Sequence, residues 1–264
     1  MVILLFINQT RLTKDRIIMC LDCGCGKTEE HSHPDGHTHG HDHTAGHVHV
    51  HKETITLEQK ILSENDRYAA QNRKWLADRG VTAINIISSP GSGKTYLLEK
   101  TLERLAGRIG CAVITGDLQT DNDARRLLAK CDNVKQIQTV SACHLDAHMI
   151  GHTLEEVIKP GIKLLFIENV GNLVCPAVFD VGENFKIALI SVTEGEDKPE
   201  KYPVIFSTAE IVVLTKTDLI PHTDFDRARF AQALKKVHPG VFVFELSAKT
   251  GEGMDAWINY LTAL

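Results

Sequence analysis

The chain has 264 residues, of which 43% are hydrophobic and 24% charged, and its formal net charge is −5. This composition is typical of a globular protein with one large domain, or one domain and an appendage. With this net negative charge, the chain lacks the excess of basic residues that is typical of nucleic-acid-binding proteins. The apolar run at 2–7 is too short to span a membrane, and seven cysteines without a secretory signal argue against a disulfide framework. We therefore expect a cytoplasmic protein that contacts neither nucleic acid nor membrane.

Residues 1–19 carry no motif of their own. Met19 directly precedes a cysteine-rich run, so a chain that began at Met19 would place those cysteines at its amino terminus. We therefore treat residues 1–19 as an uncertain extension that a misassigned start codon would explain.

The segment 20–55 is rich in cysteine and histidine and poor in residues that can form a core. Cys20, Cys23 and Cys25 offer three thiolates, and nine histidines follow between residues 31 and 51. These groups suit borderline divalent ions such as Ni²⁺ and Zn²⁺. The segment buries too little to offset its loss of entropy on ordering, so we expect a disordered metal-binding tail. A solvated linker would explain its glycines and aspartates but not its histidines.

An amphipathic stretch at about 56–79 predicts a helix that packs on the domain after it. Thr56 and Gln59 have the spacing of a capping box, and Gly80 would end the helix. We therefore assign residues 56–264 to one domain with a leading helix. The apolar residues that form its stripe are Leu57, Ile61, Leu62, Tyr68, Trp75 and Leu76.

From residue 81 onward, apolar runs of strand type alternate with stretches of helical length. Near-continuous apolar strands separated by helices indicate an α/β fold, with a mostly parallel sheet covered by helices on both faces. The predicted strands are TAINIIS, CAVITGD, KLLFIEN, KIALISV, EIVVLTK and VFVFELS, and the predicted helices between several of them are 95–109, 120–130, 146–159 and 224–237.

The segment SSPGSGKT, residues 88–95, lies between a predicted strand and a predicted helix. It matches the phosphate-loop pattern G-x-x-x-x-G-K-S/T at its last three positions, with Ser88 in place of the first glycine. Lys94 would reach the β- and γ-phosphates, and the Thr95 hydroxyl would bind Mg²⁺. The strand–loop–helix context favours a P-loop NTPase over a simple Gly/Ser turn. The residues predicted to contact the phosphates are Ser89, Gly91, Ser92, Gly93, Lys94 and Thr95.

Two polar turns later in the chain indicate guanine as the base. TKTDL follows a predicted strand and resembles the N-K-x-D box of GTPases, with Thr215 in place of the asparagine. The aspartate of this box, Asp218 here, accepts from guanine, whereas adenine would leave the carboxylate unpaired. The later segment LSAKTGEG resembles the S-A-K loop, whose backbone N–H meets guanine O6. The residues predicted to bind the base are Lys216, Asp218, Ser247, Ala248 and Lys249.

Asp117 and Glu168 each end a predicted strand. Carboxylates at the carboxyl ends of strands face the ligand crevice of an open α/β sheet, so we predict that both bind Mg²⁺ together with Thr95. With Lys94, they are the predicted catalytic residues. Gly171 follows closely and is placed to sense the γ-phosphate. A carboxylate that simply keeps a strand end in contact with water would explain either residue alone. It explains the presence of both less well.

Cys143, His144 and Cys175 form a second candidate metal site. Thiolates and imidazole suit Zn²⁺ or Ni²⁺. A lone cysteine is usually a small buried hydrophobe, but Cys175 follows the predicted γ-phosphate sensor, so nucleotide would control its position. Adjacent residues chelate one ion poorly, and we therefore expect a two-fold homodimer to complete the site. His148 and His152 share a helical face and are interpreted as core or surface histidines.

These motifs together resemble the nickel-incorporation GTPases of hydrogenase maturation, the HypB family. The resemblance covers 56–264 through SSPGSGKT, GDLQTDNDARR, ACHLDAHM, FIENVGNLVCP and TKTDL, and CLDCGCG resembles the amino-terminal nickel motif of some members. It implies a dimer-forming phosphate-loop GTPase that delivers Ni²⁺ to the large-subunit precursor of nickel–iron hydrogenase, with a HypA-type metallochaperone as partner. It assigns nucleotide and Mg²⁺ to Lys94, Thr95, Asp117 and Glu168, and the metal to Cys143, His144 and Cys175.

One departure and two alternatives stay open. Ser89 stands where ATPase relatives of this class carry a signature lysine, so no general base or arginine finger is identified and slow turnover is expected. The expected ligands are GTP, Mg²⁺ and Ni²⁺, with Zn²⁺ as an alternative ion at the Cys143 site. The alternatives are a metal-delivery GTPase for urease or zinc, and a nickel storage protein with low GTPase activity.

Overall fold

The computed structural model describes residues 47–117, 122–139 and 142–264, with side chains from residue 59 onward. The chain divides into two units between Gly46 and His47, and all described residues belong to the second. The predicted tail ligands Cys20, Cys23 and Cys25, the expected disorder of residues 20–46 and the uncertain extension at 1–19 lie outside the described residues, whereas residues 47–55 of the predicted tail are helical. Among the helices that the structure describes, none has the combined length and hydropathy of a membrane span.

A seven-stranded, all-parallel sheet forms the centre of the second unit, which confirms the predicted α/β fold. The strand order is β3-β2-β4-β1-β5-β6-β7. Six of the strands correspond to the predicted apolar runs. Strand β3, with the sequence VKQIQ, was not predicted because it is only half-buried and not continuously apolar. The strands are β1 (Thr82–Ser88), β2 (Gly110–Asp117), β3 (Val134–Gln138), β4 (Ile162–Glu168), β5 (Phe185–Ser191), β6 (Ile211–Thr215) and β7 (Phe242–Glu245).

Helices cover both faces of the sheet. Successive side chains of β1 point to opposite faces, so Ile84 and Ile86 pack towards α2 and α9, whereas Ala83 faces the cluster of α1 and α4 and Ile87 that of α7 and α8. The helices are α1 (His47–Ala77), α2 (Lys94–Leu105), α3 (Asn122–Leu128), α4 (Ala147–Val157), α5 (Cys175–Val178), α6 (Lys198–Lys201), α7 (Pro203–Thr208), α8 (Arg227–Val237) and α9 (Met254–Thr262), with 3-10 turns at Val192–Glu194 and Thr217–His222.

Helix α1 starts earlier than predicted, whereas helix α4 starts within one residue of its prediction. Helix α1 begins at His47 rather than near Thr56, because no proline or glycine interrupts the chain after Gly46. Helix α4 begins at Ala147, where the Asp146 side chain caps it by accepting from the Met149 N–H at 2.8 Å. The candidate ligands before Asp146 therefore lie on a loop.

Two buried asparagines of α1 hold the segments that flank the second candidate metal site. The Asn65 side chain accepts from the Ala147 N–H at 2.9 Å and donates to the Asp180 carbonyl at 2.8 Å. The Asn72 side chain donates to the carbonyls of Ala147 and Val181, at 2.7 and 3.1 Å. Helix α1 therefore fixes both the start of α4 and the chain beyond α5.

Replacing Asn72 with alanine should lower the free energy of unfolding by about 2–3 kcal/mol, because it removes the donor to two carbonyls in a buried setting. Urea unfolding of the full chain measures this loss. Gln71→Ala, on the exposed side of the same helix, should change stability by less than about 0.5 kcal/mol. Equal losses for the two variants would show that the contacts of Asn72 do not stabilise the fold.

Candidate functional site

The phosphate loop connects β1 to α2. Gly91 and Gly93 have φ values of 75° and 97°, in the left-handed region that glycine adopts without strain. Gly93 is the N-cap of α2 and supplies no side-chain acceptor, so the first N–H groups of the helix are not capped from that position. A loop of this shape at a helix N-terminus suits a phosphate.

Lys94 is buried beside the loop. Its ammonium group donates to the Ser88 hydroxyl at 2.8 Å, and burial lowers the pKa of Lys94, while the negative charges of Glu168 and Asp123 oppose this effect. Ser88, which replaces the first glycine of the motif, is fully buried and also bonds to the Ser92 hydroxyl. Ser88 is therefore an acceptor for the lysine, a role that the sequence pattern did not reveal.

Thr95 and Glu168 form the centre of the predicted Mg²⁺ site. The Thr95 hydroxyl donates to Oε1 of Glu168 at 2.6 Å, while Oε2 is buried without a hydrogen-bond partner. Burial raises the pKa of Glu168 to about 7, although hydrogen bonds from Thr95 and Thr115 and the charge of Lys94 act in the opposite direction. A buried carboxylate oxygen without a partner, next to a threonine hydroxyl, fits a hard divalent cation.

Two further carboxylates lie near this centre. Asp117 ends β2, two residues beyond Thr115, which pairs in register with Glu168 of β4. Asp123 lies in the first turn of α3, and its charge raises the pKa values of both Lys94 and Glu168. The sequence predicted Asp117 as a metal ligand but not the proximity of Asp123, which depends on how α3 packs.

Gly171 lies against the phosphate loop. A Cβ at this position would stand 3.1 Å from Cγ and 3.2 Å from Cα of Pro90. Any larger residue would push this segment away from the loop. The segment that continues to Cys175 is thus in direct contact with the phosphate loop.

The TKTDL segment, which resembles the N-K-x-D box, contacts the phosphate loop through two hydrogen bonds. The Thr215 hydroxyl donates to the Ser92 carbonyl at 2.7 Å, and the Lys216 ammonium donates to the Gly91 carbonyl at 2.7 Å. Lys216 has φ 58°, a left-handed conformation that is uncommon for residues other than glycine. Thr215 therefore still links the two loops, although it replaces the asparagine of the motif.

The TKTDL and LSAKTGEG turns, both predicted to bind the base, also contact each other. The Ser247 hydroxyl donates to Oδ1 of Asp218 at 2.6 Å and accepts from the Thr250 N–H at 3.2 Å. Ala248 is half-buried against the core, and Lys249 is exposed. Ser247 thus orients the carboxylate that is predicted to read the base.

The loop before α4 and the start of α5 bring Cys143, His144 and Cys175 together. The two Sγ atoms are 2.8 Å apart, Cys143 Sγ lies 3.7 Å from His144 Nδ1, and all three ligand atoms lie within 4.8 Å of one another. Burial lowers the pKa of His144, which favours the neutral ligand form, and its ring packs on Phe179 with centroids 3.9 Å apart. One chain therefore gathers three ligand atoms.

Asn169 connects this loop to the end of β4. Its side-chain oxygen accepts from the Leu145 N–H at 3.0 Å, and its amide donates to Oδ1 of Asn85 at 3.2 Å. Asn169 is 1% exposed and directly follows Glu168. No sequence motif identifies Asn169, and its only signal is its position between the two predicted sites.

Comparisons with known proteins agree with this geometry. Residues 82–245 match the profile of the CobW/HypB/UreG nucleotide-binding domain. The chain is 51% identical over 207 residues to the hydrogenase maturation factor HypB of Azotobacter vinelandii, covering 78% of this chain and 68% of that protein.

Two solved structures have the same fold. The crystal structure of hydrogenase maturation factor HypB from Archaeoglobus fulgidus matches with a TM-score of 0.72 and 40% identity, over 76% of this chain and 98% of that one. The structure of HypB from Helicobacter pylori in complex with nickel matches with a TM-score of 0.70 and 35% identity, over 75% and 93% of the two chains. The chain belongs to the HypB family of hydrogenase maturation factors, within the CobW/HypB/UreG nucleotide-binding group.

Proposed function

We propose that this phosphate-loop GTPase is a nickel metallochaperone that couples GTP binding and hydrolysis to the delivery of Ni²⁺ during maturation of nickel–iron hydrogenase. The observation that carries the proposal is the placement of the Cys143, His144 and Cys175 cluster, which Asn169 joins to the buried Glu168. The family supports the same reading, since a relative has been solved in complex with nickel.

The nucleotide end has the groups that GTP and Mg²⁺ require. Lys94 contacts the β- and γ-phosphates once they replace its Ser88 partner, and Thr95, Asp117 and Glu168 hold Mg²⁺. Mg²⁺ supplies charge neutralisation on the phosphate oxygens. Lys94, Asp117 and Glu168 are the catalytic residues of this proposal.

The remaining predicted contacts complete the nucleotide site. The backbone of the phosphate loop surrounds the phosphates, and Gly171 senses the γ-phosphate across its contact with Pro90. The base-reading residues are Lys216, Asp218, Ser247, Ala248 and Lys249, and the loop residues are Ser89, Gly91, Ser92, Gly93, Lys94 and Thr95.

We infer that two copies of the chain meet at the cysteine cluster. Val174 and Val178 flank Cys175, and their exposed fractions are 39% and 44%. Apolar side chains at this exposure, beside an incomplete ligand set, suit a homodimer that forms when GTP orders the segment after Gly171. Hydrolysis would then loosen the dimer and release the ion.

The delivery cycle assigns a role to each partner. A HypA-type metallochaperone and the hydrogenase large-subunit precursor exchange Ni²⁺ with the cluster, which also has the ligand set for Zn²⁺. Cys20, Cys23 and Cys25 form a tight metal site, and the histidines of 31–51 serve as a looser reservoir. We place the cycle in the cytoplasm, where thiols stay reduced.

Replacing Glu168 with glutamine should flatten the pH dependence of stability in the protein without nucleotide. The folded-state pKa of about 7 lies above the 4.5 of an unperturbed glutamate. The protonated Glu168 carboxyl therefore contributes its full stabilisation of the fold below a pH of 4.5. This stabilisation is lost as the pH rises through the folded-state pKa of about 7. Between about pH 5 and 8, the parent should lose about 3 kcal/mol more than Glu168→Gln in urea unfolding. Glu155→Gln, at an exposed position, should show the same pH dependence of stability as the parent. If Glu168→Gln also shows the parent's pH dependence, the raised pKa does not belong to Glu168.

Replacing Asn169 with alanine should uncouple nickel binding from the nucleotide state, because the Leu145 N–H loses its link to the end of β4. The ratio of Ni²⁺ affinities with a non-hydrolysable GTP analogue and with GDP, expected at about 5- to 150-fold in the parent, should fall towards one. Asn184→Ala also removes a side-chain acceptor from a backbone N–H, that of Ala83, but far from the cluster, and it should keep the ratio. An unchanged ratio in the Asn169 variant would exclude this link.

Complementation of a strain that lacks its own HypB-family gene tests the function. Lys94→Ala should fail to mature hydrogenase because the phosphates lose their buried cation, whereas Lys100→Ala should succeed, because this lysine of the same helix is half-buried and pairs with Glu103 on the helix surface. A chain without residues 20–51 should succeed only when nickel in the medium is raised. Maturation by Lys94→Ala at the parent's level would favour nickel storage, and rescue of urease alone would favour the other delivery function.

A further inference from the structure

Two histidines lie side by side on the exposed face of α4, outside the cysteine cluster. His148 and His152 are one helical turn apart, and their Nε2 atoms are 3.0 Å from each other. Both side chains are exposed, and their rings meet edge to face with centroids 4.4 Å apart. A single hydrogen bond between neutral imidazoles would explain the contact, but so would shared binding of one ion.

The helix presents this pair from a fixed position. Ile150 and Leu154 bury the opposite face of α4 in the core, and the Asp146 side chain caps its start. The ring of Tyr68, on α1, packs edge-on against His148 with centroids 4.9 Å apart. The backbone of the pair is therefore held by packing, and the two exposed rings face each other at its surface.

The distance between the two nitrogens matches a chelating pair. Imidazole nitrogens lie about 2.1 Å from a bound first-row metal, so two of them at a right angle are about 3.0 Å apart. We propose that His148 and His152 form a second metal site, which binds one borderline divalent ion such as Ni²⁺, Cu²⁺ or Zn²⁺ through both Nε2 atoms. Its remaining positions are open to water or to an incoming ligand.

The location of this pair gives it a role in the delivery of the ion. His148 follows His144 by one turn's length of chain, so an ion on the pair lies beside the loop of the cysteine cluster. A site with two protein ligands and open positions exchanges its ion more readily than a site with two thiolates and an imidazole. The pair is thus the initial binding site for ions that then move to Cys143 and Cys175. This role rests on the proposed function, whereas the metal site itself does not.

Footprinting with diethyl pyrocarbonate tests the site in the full chain. The reagent modifies free imidazole nitrogens, and mass spectrometry of the peptides reports each histidine separately. Ni²⁺ should protect both His148 and His152, while His222, an exposed histidine of another segment, should stay reactive. In His152→Ala, His148 should lose its protection because a single imidazole cannot chelate.

A spacing variant separates chelation from mere proximity. His152→Gln combined with Glu155→His keeps the number of histidines on the exposed face of α4 but places them two turns apart, so Ni²⁺ should no longer protect His148. Persistent protection of His148 in this variant or in His152→Ala would overturn the proposal, as would protection of His222 to the same degree.

A Cys175→Ala chain distinguishes this site from the proposed function. The histidine pair should remain protected by Ni²⁺ although the cysteine cluster has lost a ligand. Protection that disappears in this variant would assign the effect to the cluster and refute a separate site. If the pair is protected but hydrogenase maturation does not depend on this chain, the metal site stands and only its role in delivery fails.

Discussion

The carboxyl end of β4 directs two adjacent polar side chains to opposite faces of the sheet. Leu164 and Phe166 pack in the cluster of α2, whereas Leu165 and Ile167 pack in the cluster of α1 and α4. Because strand side chains alternate, the next residue, Glu168, points towards the phosphate loop and the one after it towards the loop before α4. The alternation therefore places the two candidate sites on either side of one strand end.

This arrangement depends on the register of β4, because a shift by one residue would exchange the two directions. The register is held by pairing with β2 on one side and β1 on the other, and Ile86 of β1 accepts a further bond from the Asn169 N–H at 3.1 Å. The strand end is thus rigid, while the loops that it contacts are irregular. A movement of the phosphate loop would therefore reach the loop of Cys143 and His144 through a fixed element.

Sequence patterns predicted the parts of this design that depend on local chemistry. Strand β4 was found because KLLFIEN is continuously apolar, and the phosphate loop because its glycines and lysine have a fixed spacing. The buried face of α1 was not predicted correctly, since Ile61 of the apolar stripe is 50% exposed, while Asn65 and Asn72 are buried. Nothing in a periodicity of hydrophobic residues distinguishes a buried asparagine with two backbone partners from an exposed one. Asn169 was missed for the same reason, because its partners are distant in sequence.

The buried carboxyl group of Glu168 favours an ion-delivery switch over a passive store. Burial raises the pKa of this carboxyl group well above its usual range, so charge on it is costly until a cation arrives. Binding of Mg²⁺ with nucleotide, as proposed, would therefore change the charge at this strand end, and Asn169 is the adjacent residue that reaches the loop of Cys143 and His144. A nickel storage protein would have no use for a link between the Cys143, His144 and Cys175 cluster and the buried carboxyl group of Glu168. A chaperone must both hold and release its ion, and the link through β4 gives the nucleotide a means to control which of the two occurs.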